Sequence, residues 1–108
     1  MRDKISDGIL FTYYGGLLNE HQREIMRLYY DCDMSLAEIS VFTRITRQGV
    51  RDVIVRSSAK LAECEDKLGF VERIRKITVS MEETVRRGDF SEEQRAELDE
   101  ILNAIKEI

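Results

Sequence analysis

Two arginines and a glutamine stand at the start of one predicted helix, and their types and spacing suit recognition of nucleic-acid bases. Residues 47–51 read Arg-Gln-Gly-Val-Arg and follow Thr46, a residue type that often caps a helix N-terminus. Arg and Gln donate paired hydrogen bonds to guanine and adenine edges, and Arg also binds phosphate. The pattern predicts that Arg47, Gln48 and Arg51 point outward into a major groove of duplex DNA.

A preceding helix and a short turn would hold these side chains in place. Ser35 and Glu38 form a capping-box pattern, in which both side chains satisfy N–H groups at a helix start. Ile39 and Phe42 continue the apolar face of that helix. Ser40 is small where a second helix would cross, and Ile45 is apolar just after the turn. The segment from residue 35 to residue 60 therefore predicts a helix-turn-helix.

Two residues depart from this pattern. Arg44 occupies a turn position where a left-handed backbone costs a non-Gly residue about 1–2 kcal/mol. Gly49 lies inside the second helix and weakens it by about 1 kcal/mol relative to Ala. The alternative interpretation is an ordinary helix pair with a solvated arginine-rich face.

Charge is distributed unevenly along the chain. The net charge is −4, whereas residues 43–60 hold five basic residues and one acid, a net charge of +4. A local basic patch on an acidic body can still attract a phosphate backbone. The candidate DNA-binding residues are Thr46, Arg47, Gln48, Arg51, Arg44, Arg56 and Lys60.

Composition indicates a globular helical protein. The chain has 108 residues, of which 43% are apolar and 35% charged, and it contains no Pro. No apolar run approaches the ~20 residues that cross a bilayer, and the N-terminal residues lack a secretory apolar core. We expect a cytoplasmic protein without a membrane span.

Residue patterns for catalysis or metal binding are missing from the sequence. Cys32, Cys64 and His21 are too few and too scattered to form a zinc site. There is no Gly-rich phosphate loop, paired-carboxylate site or Ser/His/Asp set. We therefore expect no metal, no cofactor and no enzymatic activity.

Apolar spacing predicts six helices. They cover about 4–14, 20–31, a third from 35, a fourth from 46 to 69, 70–87, and a sixth after Ser91. The predicted fold is all-α: a helix-turn-helix without a wing, then a long helix and a C-terminal helical hairpin. We expect one domain over 1–108, with a core at 1–60 and an extension at 61–108 for packing or dimerisation.

Heptad-like apolar stripes run along the last three helices. The stripes are Val50, Ile54, Ser57, Leu61, Cys64 and Leu68; Val71, Ile74, Thr78, Met81 and Val85; and Leu98, Ile101, Leu102, Ile105 and Ile108. The half of the fourth helix from Leu61 onward is expected to project past the core. Two interpretations remain open. The stripes pack within one chain and complete its core, or they pack against the stripes of a second copy. The homodimer interpretation assigns contacts to Leu61, Leu68, Ile74, Met81, Val85, Leu98, Ile101 and Ile105.

Several separated blocks resemble the small bacterial YlxM proteins. They are residues 11–18 (Phe-Thr-Tyr-Tyr-Gly-Gly-Leu-Leu), 28–30, 35–39, 46–50 and 60–69. The resemblance covers roughly residues 5 to 75. Arg47, Gln48 and Arg51 match the start of the family's recognition helix. This chain differs in having Thr46 where Ser is usual, Gly49 where Ala is usual, and Arg44 where Asn is usual.

The resemblance implies a fold and two functions. The family's helix-turn-helix is similar to the promoter-reading fourth region of bacterial sigma factors, which implies a DNA-binding regulator. The family's genes lie beside those for the GTPase of the signal recognition particle. That neighbourhood implies a link to the particle's pathway, with its GTPase or RNA as a partner. The alternative function is therefore a protein or ribonucleoprotein adaptor of the secretion machinery that does not read DNA sequence.

Overall fold

Helices account for most of the chain. The computed structural model describes residues 4–107, and these form six α-helices and one 3₁₀ helix, without a strand. The elements are α1 (Lys4–Tyr14), the 3₁₀ helix (Gly15–Leu17), α2 (Glu20–Tyr30), α3 (Leu36–Thr43), α4 (Arg47–Leu68), α5 (Phe70–Arg87) and α6 (Glu92–Lys106). The predicted all-α class, with a helix-turn-helix, a long helix and a C-terminal hairpin, is confirmed. Ile108 lies outside the described residues.

Side-chain caps and glycine set the helix ends, since no Pro is present to stop them. Asn19, Ser35 and Ser91 each close a capping box at the start of α2, α3 and α6. Gly69 takes a left-handed backbone, φ 60°, and separates α4 from α5. Each of these boundaries was predicted from the residue types.

The chain divides into two compact units, one ending at Leu68 and the next beginning at Gly69. In the first unit, α1, α2 and α3 all pack against α4. Its buried apolar residues include Leu10, Phe11, Ile25, Met26, Leu28, Ile39, Val50, Ile54 and Leu61. α4 is therefore the central helix of the unit that carries the helix-turn-helix. The expectation of a single domain with a core at 1–60 and an extension at 61–108 stays a prediction.

The stripe of α4 lies in this core for most of its length. Val50, Ile54, Ser57 and Leu61 are all fully buried. Further along, the hydroxyl of Tyr14 donates a 2.6 Å hydrogen bond to Glu65 Oε1. The expectation that α4 projects past the core from Leu61 onward is therefore wrong as far as Glu65, because Leu61 and Ala62 are buried and Tyr14 of α1 bonds to Glu65.

A polar contact inside the first unit ties α2 to α4. The Tyr30 hydroxyl of α2 lies 3.3 Å from Ser58 Oγ of α4. Asp7 of α1, which interacts electrostatically with Tyr30, is 1% exposed. Burial raises the pKa of the Tyr30 hydroxyl, and the Asp7 charge raises it further against the opposing hydrogen bond from Ser58. Tyr30 therefore stays neutral at ordinary pH and keeps its hydroxyl hydrogen.

The second unit is a hairpin of α5 and α6. Lys106 Nζ lies 2.8 Å from Glu82 Oε1, and Arg95 donates 2.8 Å hydrogen bonds to the carbonyls of Val85 and Gly88. Among the described residues of this hairpin, Leu102 alone is buried, at 5% exposure. These contacts all involve the C-terminal part of α5, while the apolar stripes of the two helices stay largely half-exposed.

Candidate nucleic-acid interface

α3 begins with a complete capping box. Ser35 Oγ accepts the Glu38 N–H at 3.1 Å, and Glu38 Oε1 accepts the Ser35 N–H at 3.0 Å. The hydrogen bond from the Ser35 backbone holds the pKa of the Glu38 carboxyl below its ordinary value of 4.5, because that bond favours the charged form. The predicted capping pattern is therefore confirmed.

Acid is expected to loosen the start of α3. Because folding depresses the Glu38 pKa, its contribution to stability is present above pH 4.5 and is lost as pH falls through the folded-state pKa. Hydrogen exchange of the Ser35 amide, measured between pH 6 and about pH 3, should show reduced protection at the acid end after correction for intrinsic exchange. Glu38→Gln keeps an acceptor that does not titrate, so its protection should stay level. An equal loss of Ser35 amide protection in wild type and Glu38→Gln would show that titration of Glu38 does not cause the change.

The turn between α3 and α4 is short and strained at one residue. Arg44 has φ 60° and ψ 29°, the left-handed conformation that was predicted to be costly for a non-Gly residue. Ser40 Oγ donates to the carbonyl of Ile45, and Thr43 Oγ1 donates to the carbonyl of Ile39 at 2.7 Å. The Ser40 bond spans the turn, whereas the Thr43 bond lies within the last turn of α3.

Arg44→Gly is expected to raise the free energy of unfolding by about 0.5–1 kcal/mol. Relief of the left-handed backbone gains about 1–2 kcal/mol, and the greater freedom of Gly in the unfolded chain offsets part of that gain. Urea denaturation measures the change. Arg44→Ala removes the same charge without relieving the backbone, so it should show no gain. An equal increase in the free energy of unfolding of Arg44→Ala would mean that loss of the Arg44 charge, and not relief of the backbone, stabilises the variants.

α4 starts with a side-chain cap and stays regular through its glycine. Thr46 Oγ1 accepts the N–H of Gly49 at 3.0 Å, as a helix cap does. A Cβ built at Gly49 would lie 2.7 Å from Ile45 Cγ2. Gly49 therefore lets the Ile45 side chain lie against the first turn of α4, and the helix continues unbroken to Leu68.

Residues 47–56 of α4, here named the recognition segment, place the predicted base-reading side chains in solvent. Arg47, Gln48 and Arg51 are all exposed, as are Thr46 and Arg44 beside them. Arg47 and Arg51 are four residues apart and so lie on one side of the helix. The Gln48 side-chain amide donates a 2.9 Å hydrogen bond to Asp52 Oδ1. The exposed end of α4 thus presents two guanidinium groups and one amide, and the amide is hydrogen-bonded to Asp52.

The other two basic candidates lie elsewhere on α4. Arg56 is exposed but comes nine residues after Arg47, so it lies on the opposite side of the helix and about 13 Å further along. Lys60 donates a 3.0 Å hydrogen bond to the carbonyl of Leu17 in the 3₁₀ helix. The structure therefore groups Arg44, Thr46, Arg47 and Arg51 and separates Arg56 and Lys60 from them.

The predicted dimer residues differ in exposure. Leu61 is fully buried, whereas Leu68 and Ile101 are 55% and 50% exposed. The remaining members are half-buried: Ile74, Met81, Val85, Leu98 and Ile105. The half-buried residues and Ile101 all belong to the hairpin of α5 and α6.

An exposed apolar patch on α3 was not predicted from the sequence. The apolar spacing predicts that Phe42 shares a face with Ile39, but Phe42 is 66% exposed, and Val41 is 82% exposed. Ile39 is fully buried in the core instead, and the Ser40 hydroxyl faces the turn, where it donates to the carbonyl of Ile45. Met34, Ala37, Val41 and Phe42 together form the outer surface of α3, here named the α3 patch.

Residues 4–107 are the part of the chain that the structure describes. No helix in that range is long and apolar enough to cross a membrane. No group of three or more His, Cys, Asp or Glu side chains in that range is placed to hold a metal ion. The cytoplasmic location expected from the sequence stays a prediction.

Comparison with known proteins places these features in a family. The profile of UPF0122, described as "Putative helix-turn-helix protein, YlxM / p13 like", matches residues 1–102. A UPF0122 protein of Symbiobacterium thermophilum is 41% identical over 99 residues, which cover 89% of this chain and 92% of that protein. One from a Thermoanaerobacter species is 40% identical over 93% and 85% of the two chains, and one from Clostridium kluyveri is 38% identical over 97% and 96%. No solved structure gives a significant match.

Proposed function

Because the chain belongs to the UPF0122 family of YlxM/p13-like helix-turn-helix proteins, we propose that it binds duplex DNA through the recognition segment. The observation that carries the proposal is the pair of exposed guanidinium groups of Arg47 and Arg51 on one side of the first turns of α4. Fully buried Val50 and Ile54 fix the orientation of that helix against the rest of the unit. The family is one of helix-turn-helix proteins and not of enzymes.

Each polar side chain has a distinct role in this proposal. Arg47 and Gln48 read base edges, since Arg pairs with guanine and Gln with adenine in the major groove. Arg51 and Arg44 contact phosphates beside them, and the N–H groups at the start of α4 add a positive helix end. Arg56 meets the phosphate strand on the opposite side of the helix.

Lys60 contributes less directly. Its ammonium group is held by the Leu17 carbonyl at 3.0 Å, so a phosphate contact requires that bond to be exchanged. Outside residues 43–60 the chain carries a net charge of −8, which repels phosphate. We therefore assign binding to a small basic surface that depends on the side chains of the recognition segment.

A salt titration of binding, followed by fluorescence anisotropy, tests the proposal. The ligands are random duplex DNA and a duplex pool selected for tight binding by the full chain. Wild type should bind the selected pool with a steep salt dependence. Arg47→Ala/Arg51→Ala should lower the affinity and also the slope, by about one unit for each phosphate that the variant no longer neutralises. Arg23→Ala/Arg86→Ala removes two exposed arginines elsewhere and is the control. Equal effects of the two double variants would refute the assignment to the recognition segment.

A second function is favoured by the α3 patch, which gives the first unit an exposed apolar surface. Residues 31–43 contain three acids, Asp31, Asp33 and Glu38, and no basic residue. Apolar contact beside acidic side chains suits a basic amphipathic helix of another protein. This adaptor would act in the secretion machinery, where the resemblance of the sequence implies the signal recognition particle's GTPase or RNA as the partner.

Capture experiments with the full chain, using that GTPase and that RNA as ligands, distinguish the adaptor function from DNA binding. Val41→Lys should abolish capture of the GTPase by an adaptor, whereas Arg47→Ala/Arg51→Ala should leave it unchanged. The opposite pattern, with capture of the RNA abolished only in the arginine variant, would assign the recognition segment to RNA. Capture of neither partner would remove the adaptor function.

A further inference from the structure

The hairpin of α5 and α6 leaves most of its large apolar side chains half-buried or exposed. Ile77 and Ile101 are each 50% exposed, and Leu102 alone among its described residues is buried. Two helices make a single layer, and a single layer can cover only one side of each apolar stripe. The hairpin therefore needs a second layer over its stripes.

Contacts between the two helices identify the side that is left open. Glu82 on α5 and Lys106 on α6 lie on the sides that face each other, since their charged groups are 2.8 Å apart. Ile77 comes five residues before Glu82, and Ile101 comes five residues before Lys106. At about 100° per residue, each isoleucine points well away from the contact between the helices. Ile77 and Ile101, with the half-buried Met81 and Leu98, define the open face of the hairpin.

Charge differs between the two outer edges of this open face. Arg73 lies one turn before Ile77 on α5, and Arg87 lies about three turns after it and about 80° round the helix, further toward the outer edge. On α6, Glu97 and Glu93 lie one and two turns before Ile101. α5 as a whole holds five basic residues and three acids, a net charge of +2, whereas α6 holds two basic residues and five acids, a net charge of −3. One outer edge is thus basic and the other acidic.

We propose that a second copy of this chain covers the open face, so that two hairpins form a four-helix bundle with α5 of each copy against α6 of the other. This arrangement places the basic edge beside the partner's acidic edge on both sides of the bundle. The other two-fold arrangement places α5 against α5 and α6 against α6, which brings like charges together. Charge therefore selects both the occupant and its orientation.

The dimer goes beyond DNA binding and does not depend on it. Of the residues predicted for dimerisation, those of the hairpin take part: Ile74, Met81, Val85, Leu98, Ile101 and Ile105. Leu61 is left out because it is already fully buried.

Sedimentation equilibrium of the full chain tests whether the open face is the interface. Wild type is expected to sediment at about twice the chain mass of 12.6 kDa. Ile77→Lys and Ile101→Lys should sediment as monomers with unchanged helical circular dichroism, because both side chains are already half in solvent. Val79→Lys is the control, since Val79 is 40% exposed and lies outside the open face. A monomeric wild type at high concentration, or a monomeric Val79→Lys, would overturn the proposal.

Charge reversal tests the orientation. Arg87→Glu should weaken the dimer about tenfold, because an attraction becomes a repulsion at two symmetric places. Arg86→Glu makes the same change one residue earlier, on the side that faces away from the open face, and should have little effect. Glu93→Arg combined with Arg87→Glu should restore the wild-type dimer. Unchanged or tighter association of Arg87→Glu would refute the α5-against-α6 arrangement, whatever the chain does with DNA.

Discussion

Replacing Arg47 by alanine is expected to weaken binding to a selected duplex by about 1–3 kcal/mol and to relax specificity at one base pair. Arg47 is exposed at the first turn of α4, and its guanidinium group can donate two hydrogen bonds to one guanine. The measurement is binding of wild type and variant to a set of duplexes that differ from the selected sequence by one base pair each. Wild type should bind more weakly to every duplex that is changed at the base pair contacted by Arg47. The variant should bind duplexes with any of the four bases at that position with equal affinity.

Arg56→Ala provides the matched comparison for this result. It removes the same group from the opposite side of the same helix, and its expected effect is a smaller loss of affinity that is uniform across sequences. A loss for Arg47→Ala that is equal for selected and random duplexes would make Arg47 a phosphate contact. Unchanged affinity in both variants would remove the recognition segment from DNA binding.

Replacing Ile54 by alanine is expected to lower the free energy of unfolding by about 2–5 kcal/mol. Ile54 is fully buried in α4, the helix against which α1, α2 and α3 pack. The change removes apolar contacts and leaves a cavity that rigid neighbouring helices only partly fill. Urea denaturation followed by circular dichroism gives the difference.

Val55→Ala is the control in the next position of the same helix. Val55 is 39% exposed, and a substitution at such a site changes stability by about 0.5 kcal/mol or less. Equal destabilisation by the two variants would mean that helix propensity, rather than burial, governs the stability of α4.

Local chemistry made the helix ends predictable from the sequence. Ser35 and Ser91, each with a Glu or Gln three residues later, indicate helix starts because the required hydrogen bonds lie within one turn. Gly69 indicates a break because a left-handed residue is needed there and other residues are strained in it. These boundaries depend only on neighbouring residues, and the structure has all of them.

Contacts between distant segments were less predictable. Apolar spacing places Phe42 on one face with Ile39, yet Ile39 is buried and Phe42 is 66% exposed, and the Ser40 hydroxyl bonds across the turn to the Ile45 carbonyl. The charge of Lys60 suggests a phosphate contact, and its bond to the Leu17 carbonyl depends on how α4 packs beside the 3₁₀ helix. The roles of the candidate site residues are likewise set by a partner, which residue types alone do not identify.

The hydrogen bond between Gln48 and Asp52 has a consequence for the kinetics of the proposed DNA complex. Encounter is driven by the charges of Arg47 and Arg51 and should be equally fast on any sequence. The Gln48 amide can exchange its bond to Asp52 for two bonds to adenine, which presents an acceptor at N7 beside a donor at N6 and so matches both groups of the amide. The DNA sequence should therefore alter the lifetime of the complex much more than its rate of formation. Complexes with non-specific sequences should dissociate quickly, and the complex with the recognised sequence should dissociate slowly.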